Sequence, residues 1–161
     1  MTRMTIAKTL TIAAIAALAV SIAPTVSAAD KGCSAASLLG TFSRRDTGTV
    51  LMAPTAAAVG PIAVVGTFTF NGAGSVAGAS VSSQNGAISQ GTQTGTYTVN
   101  SDCTGTITVQ GSSGHAAHYS FVMDDNGNEF QYICTDSGPI SIVYAGTARR
   151  QFSAGDWRYG Q

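Results

Sequence analysis

Tyrosines, two histidines, scattered aspartates and three cysteines are the residues of this chain that could do chemistry. His115 and His118 have His-x-x-His spacing. A helix would put both on one face, but in a strand residues three apart point to opposite faces, so they share no metal ion. Acid–base catalysis needs two carboxyls converging on one cavity. Asp102, Asp124, Asp125 and Asp136 instead lie in turn sequence, where aspartate caps backbone amides. Asp30 and Asp156 lie near the ends of the chain, and Glu129 opens a predicted strand. There is no Gly-x-Ser-x-Gly elbow, no phosphate loop and no paired-cysteine metal site. The reading is therefore non-catalytic, with no cofactor and no metal.

Tyrosine can line an apolar cavity while orienting one polar group of a ligand. The candidate ligand-binding residues are Arg44, Phe68, Tyr97, His115, Tyr119, Tyr132 and Tyr144. What positions them is a run of predicted β-hairpins. Gly66-Thr67-Phe68-Thr69-Phe70-Asn71-Gly72, Gly95-Thr96-Tyr97-Thr98-Val99-Asn100 and Cys103-Thr104-Gly105-Thr106-Ile107-Thr108-Val109 alternate with strict period two between turn residues. About eight strands are expected, near Leu38–Asp46, Ile62–Phe70, Ser75–Ser83, Gly91–Val99, Cys103–Gly111, His115–Met123, Asn128–Thr135 and Ile140–Gln151. The short connections, such as Asn71-Gly72 and Asn85-Gly86, make neighbours antiparallel.

No amphipathic helix is available to cover such a meander, so its apolar face must be buried on itself. Phe68 and Phe70, Tyr97 and Val99, Ile107 and Val109, and Phe130 and Tyr132 share sides opposite the threonines. The fold class is all-β, a single antiparallel up-and-down barrel, with a β-sandwich left open by parity alone. Gly48 to Pro61 is unusually apolar for a loop and reads as a lid over the upper rim. That rim is expected to bear Arg44, Arg45, Asp46, His115, Cys134 and Asp136.

Arg3 and Lys8 precede an apolar run from Leu10 to Ala23, and Val26-Ser27-Ala28 suits a signal peptidase. Residues 1–28 read as a signal peptide, 29–151 as the barrel domain and 152–161 as a C-terminal tail, giving a secreted or periplasmic protein. Of 8 basic and 8 acidic residues the leader takes two basic ones, leaving a formal charge of −2. Such a chain has no electrostatic reason to bind nucleic acid or, once the leader is removed, a membrane. The expected partner is a small apolar molecule.

Three cysteines in an oxidising compartment suggest one disulfide and one leftover thiol. Cys33 precedes the first predicted strand and Cys103 opens the fifth, which puts both at the lower end of the barrel. Cys134 closes the seventh strand at the upper end and lies two strands from Cys103, beyond disulfide reach. The predicted pair is Cys33–Cys103, and Cys134 is free, most simply a small buried hydrophobe.

Cys33 before Leu39-Gly40-Thr41-Phe42, with the glycine–threonine strands above and the terminal Gly146-Thr147-Ala148-Arg149-Arg150-Gln151, resembles a group of small secreted bacterial proteins of unassigned activity. Their architecture is similar to the allene oxide cyclase-like, calycin-type barrel. That resemblance implies a barrel whose lumen could fold a reactive apolar substrate, and no catalytic residue carries over. Three functions follow: a ligand-binding barrel, an isomerase or cyclase, or a surface protein acting through its threonine face or apolar loop.

Overall fold

The computed structural model describes residues 32–124, 127–136 and 141–151. The expected leader (1–28) and the expected tail (152–161) lie outside them. Eight strands follow one another: β1 (Gly40–Met52), β2 (Gly60–Phe70), β3 (Ser75–Gln84), β4 (Ala87–Val99), β5 (Thr104–Gly111), β6 (Ala116–Asp124), β7 (Glu129–Cys134) and β8 (Ser141–Arg150). Each pairs antiparallel with the next, and β8 returns to β1, closing an up-and-down barrel. Closure leaves no free sheet edge.

The turns form where the side chains supply their hydrogen bonds. Asn71 Oδ1 accepts from the backbone of Ala73 and Ser75 at 2.8 and 2.9 Å. Asp102 accepts from the Thr104 amide at 3.0 Å and from its hydroxyl at 2.7 Å. Asn85 and Gly86 both have positive φ, 49° and 85°, as a two-residue type I′ hairpin requires.

Parity sorts the side chains as the alternation implies. Phe68, Phe70, Tyr97, Ile107, Val109, Tyr119, Phe121, Phe130, Tyr132 and Tyr144 are buried inside. The rings tile edge to face, with Phe70 against Tyr97 at 4.9 Å and Phe42 against Phe70 at 5.5 Å. Outside, threonine hydroxyls meet across strands, as in Thr98–Thr106 at 2.8 Å and Thr41–Thr69 at 3.1 Å. Val65, Ile133 and Val143 also face outward.

The lower end is plugged. A 3₁₀ turn at Ala35–Leu38 drives Leu38 into the core, and the Cys33–Cys103 disulfide anchors it, Cα to Cα 4.9 Å. Tyr97 donates to the Ala35 carbonyl at 2.9 Å. Arg150 lies 4.6 Å over the Phe42 ring and donates to the carbonyls of Ser37 and Gly127. The disulfide suits an environment outside the reducing cytoplasm.

The expected lid is shorter than the sequence suggested. β1 runs on to Met52 and β2 starts at Gly60, so only 53–59 connect them, through a 3₁₀ turn at Ala56–Ala58. Gly48 permits this, because a Cβ there would stand 2.8 Å from the Tyr144 Cα. Val50 then turns inward and is buried, while Leu51 and Met52 stay exposed.

Candidate functional site

Phe42, Arg44 and Asp46 alternate along β1 with exposed neighbours, so all three enter the barrel. This corrects the rim expectation for Arg44 and Asp46: their side chains are 3% and 0% exposed. Arg45, one residue out of phase, faces outward. A lone buried charge is unaffordable, and these two are paired, with Arg44 Nη1 3.5 Å from Asp46 Oδ2. Tyr144 donates to Asp46 Oδ2 at 2.7 Å, and Tyr132 donates to Oδ1. The guanidinium lies 4.4 Å over the Phe68 ring.

Gly146 makes room for this cluster. A side chain there would collide with Asp46 Oδ1 and come within 2.7 Å of the Tyr132 ring. Burial works against the Arg44 charge, but Asp46 and the oxygens of Tyr132, Tyr144 and Tyr119 outweigh it and hold the guanidinium above its ordinary range. Burial, reinforced by the Asp46 carboxylate, pushes Tyr132 and Tyr144 well up, so both stay protonated donors. Burial also raises Tyr119, with Arg44 opposing it. Arg44 Nε and Nη1 have no hydrogen-bond acceptor among the described residues. Such buried donors cost about 1–3 kcal/mol each.

Above this layer, at the upper end of the barrel, is a cavity of about 600 Å³. Pro54, Ile62, Ala117 and Ile142 give it apolar walls, and Tyr119 and Tyr144 its base. His115, Cys134 and Asp136 stand on its rim. A second groove, of about 530 Å³, runs along the outer wall past Arg45, Thr47 and Gln131, on the far side of the sheet from the tyrosine hydroxyls.

The rim is tied together by Asp136. It accepts from the His118 ring at 2.5 Å, the His118 amide at 3.1 Å and the Cys134 thiol at 3.2 Å. Burial pushes the Cys134 thiol up to about 11, which makes it a poor nucleophile at neutral pH. Burial opposes the Asp136 charge too, but the hydrogen bonds from His118 and Cys134 prevail and hold its carboxyl below 3.8. A carboxyl depressed in the folded state contributes stability in full above its unfolded pKa. That contribution drains away as pH falls through the folded pKa. The stability difference between wild type and Asp136→Asn should therefore be full above about pH 5 and shrink as pH falls through and below the ordinary aspartate range. Urea denaturation across that range checks it; a difference independent of pH would refute it.

Of the residues singled out from sequence, Tyr119, Tyr144 and His115 line the cavity, and Arg44, Tyr132 and Phe68 form the layer beneath. Tyr97 lies apart, committed to the lower plug. Asp46 was the missed member of the cluster. Its signal was the Phe-x-Arg-x-Asp alternation from Phe42, in phase with the aromatic face.

No protein-family model matches this chain, and no curated protein matches its sequence. Solved structures do share its fold. EF1p2_mFAP2b, bound to DFHBI, aligns with a TM-score of 0.53 at 18% identity, over 76% of this chain and 98% of its own. The redesigned β-barrel mFAP1, also bound to DFHBI, gives 0.50 at 19% identity, over 72% and 97%. Another redesigned barrel, b11L5F_LGL, gives 0.50 at 17%, over 73% and 95%. At such identities the likeness is one of fold: a closed eight-stranded antiparallel barrel.

Proposed function

We propose that this protein is exported and binds a small apolar or aromatic molecule in the cavity at the upper end of the barrel. The observation that carries the proposal is the cavity itself, about 600 Å³ with apolar walls over a base of two tyrosines. Pockets of that size and lining suit drug-sized ligands. Two barrels of the same fold are bound to DFHBI, a support at the level of fold alone. Export rests on the leader-like start of the chain and on the disulfide.

Titration with the uncharged fluorescent probe N-phenyl-1-naphthylamine tests this reading. Wild type should show a saturable rise in emission at one equivalent. Ala117→Trp, which fills the cavity from its wall, should abolish it. No saturable uptake, or uptake unchanged in the variant, would sink the proposal.

A second reading, an isomerase or cyclase of the allene oxide cyclase-like kind, is favoured by the buried Arg44–Asp46 pair. A guanidinium held in a low-dielectric lumen can polarise a carbonyl oxygen. Product analysis with apolar epoxide substrates addresses it, and turnover that survives Arg44→Met would exclude Arg44 from that role.

A further inference from the structure

Both carboxylates near the cavity are already engaged by the protein's own donors. Asp46, below the base, accepts from Tyr132 on one oxygen and Tyr144 on the other. Asp136, on the rim, accepts from the His118 ring, the His118 amide and Cys134. What remains is donors. Arg44 Nε and Nη1 lack an acceptor among the described residues, on a side chain only 3% exposed. Among the described residues the Tyr119 hydroxyl, unlike those of Tyr97, Tyr132 and Tyr144, donates to no acceptor. Such a hydroxyl keeps its proton for another partner. Tyr119 is buried and lines the cavity.

The layer at the cavity base thus has donors in excess and its one carboxylate occupied. Buried donors are satisfied only by acceptors. Charge narrows the choice further. Arg44 and Asp46 cancel, so a ligand carboxylate would bring an unpaired charge into the barrel, and an amine would set donor against donor.

Resting on the ligand-binding reading above, we infer that the molecule held here carries an uncharged hydrogen-bond acceptor, a carbonyl oxygen above all, seated on the Tyr119 hydroxyl. Its apolar body occupies the walls formed by Pro54, Ile62, Ala117 and Ile142.

Naphthalene and 2-acetylnaphthalene, matched in body and differing in the carbonyl, test this by calorimetric titration. The ketone should bind roughly tenfold more tightly, the effect of one net hydrogen bond. Its carbonyl stretch should move to lower wavenumber on binding. Tyr119→Phe should erase both the preference and the shift, while naphthalene affinity stays within about twofold, a control that the cavity is intact. Equal affinities in wild type, or a preference that survives Tyr119→Phe, would overturn the inference while leaving the ligand-binding reading in place. Failure of both compounds to bind wild type would overturn that reading, and the inference with it.

Discussion

Asp46→Ala is expected to lower the folding free energy by about 3–5 kcal/mol. The single change strips a buried guanidinium of its counter-charge and leaves the Tyr132 and Tyr144 hydroxyls without their acceptor. Uncompensated buried charge is among the costliest defects a core can carry, whereas removing both members of such a pair often costs little. The double variant Arg44→Met/Asp46→Leu should therefore be more stable than Asp46→Ala alone, although it removes more polar groups. Urea denaturation at neutral pH on the three proteins measures this directly. A loss below about 1 kcal/mol in Asp46→Ala would mean the pair is effectively solvated, and the polar layer of the barrel would have to be redrawn.

Removing the disulfide is the second large effect. Cys33 and Cys103 are 70 residues apart, and closing a loop of that length in the unfolded chain corresponds to about 4 kcal/mol on the chain-entropy account. Cys103 adds a local term, because it sits at φ 68°, where a non-glycine residue is strained. Cys33→Ser/Cys103→Gly should thus be more stable than Cys33→Ser/Cys103→Ser by about 1 kcal/mol, although both lose the cross-link. Denaturation midpoints with and without reductant report the main effect. A wild-type midpoint indifferent to reductant would reject it.

The barrel was legible because nothing local contradicted the pattern. The segments 66–72, 95–100 and 103–109 alternate strictly, and the turns between strands carry Asn, Gly or Asp. The even–odd order of the strands then sufficed to put Cys33 and Cys103 at one end. Two things were not legible, for different reasons. Val50, Leu51 and Met52 are consecutive apolar residues, which blurs period two, so the end of β1 read as loop; its pairing with β8, across from Ile142 and Ser141, makes it strand. Arg44 and Asp46 kept period two, but charge inside an apolar face is excluded unless its partners are known. Those partners, Tyr132 and Tyr144, lie 86 and 98 residues from Asp46, and only the closed barrel brings them in.

The described chain enters near Cys33, whose amide donates to the Ser101 carbonyl, and leaves at Gln151, whose amide donates to the Thr41 carbonyl, so both ends emerge at the lower, plugged end of the barrel. A tether, fusion partner or sensor surface attached through either end would hold the molecule upright by its base. Immobilised that way, it would present the tyrosine-based cavity to the bulk solution, and the choice of terminus would make no difference to what can reach it.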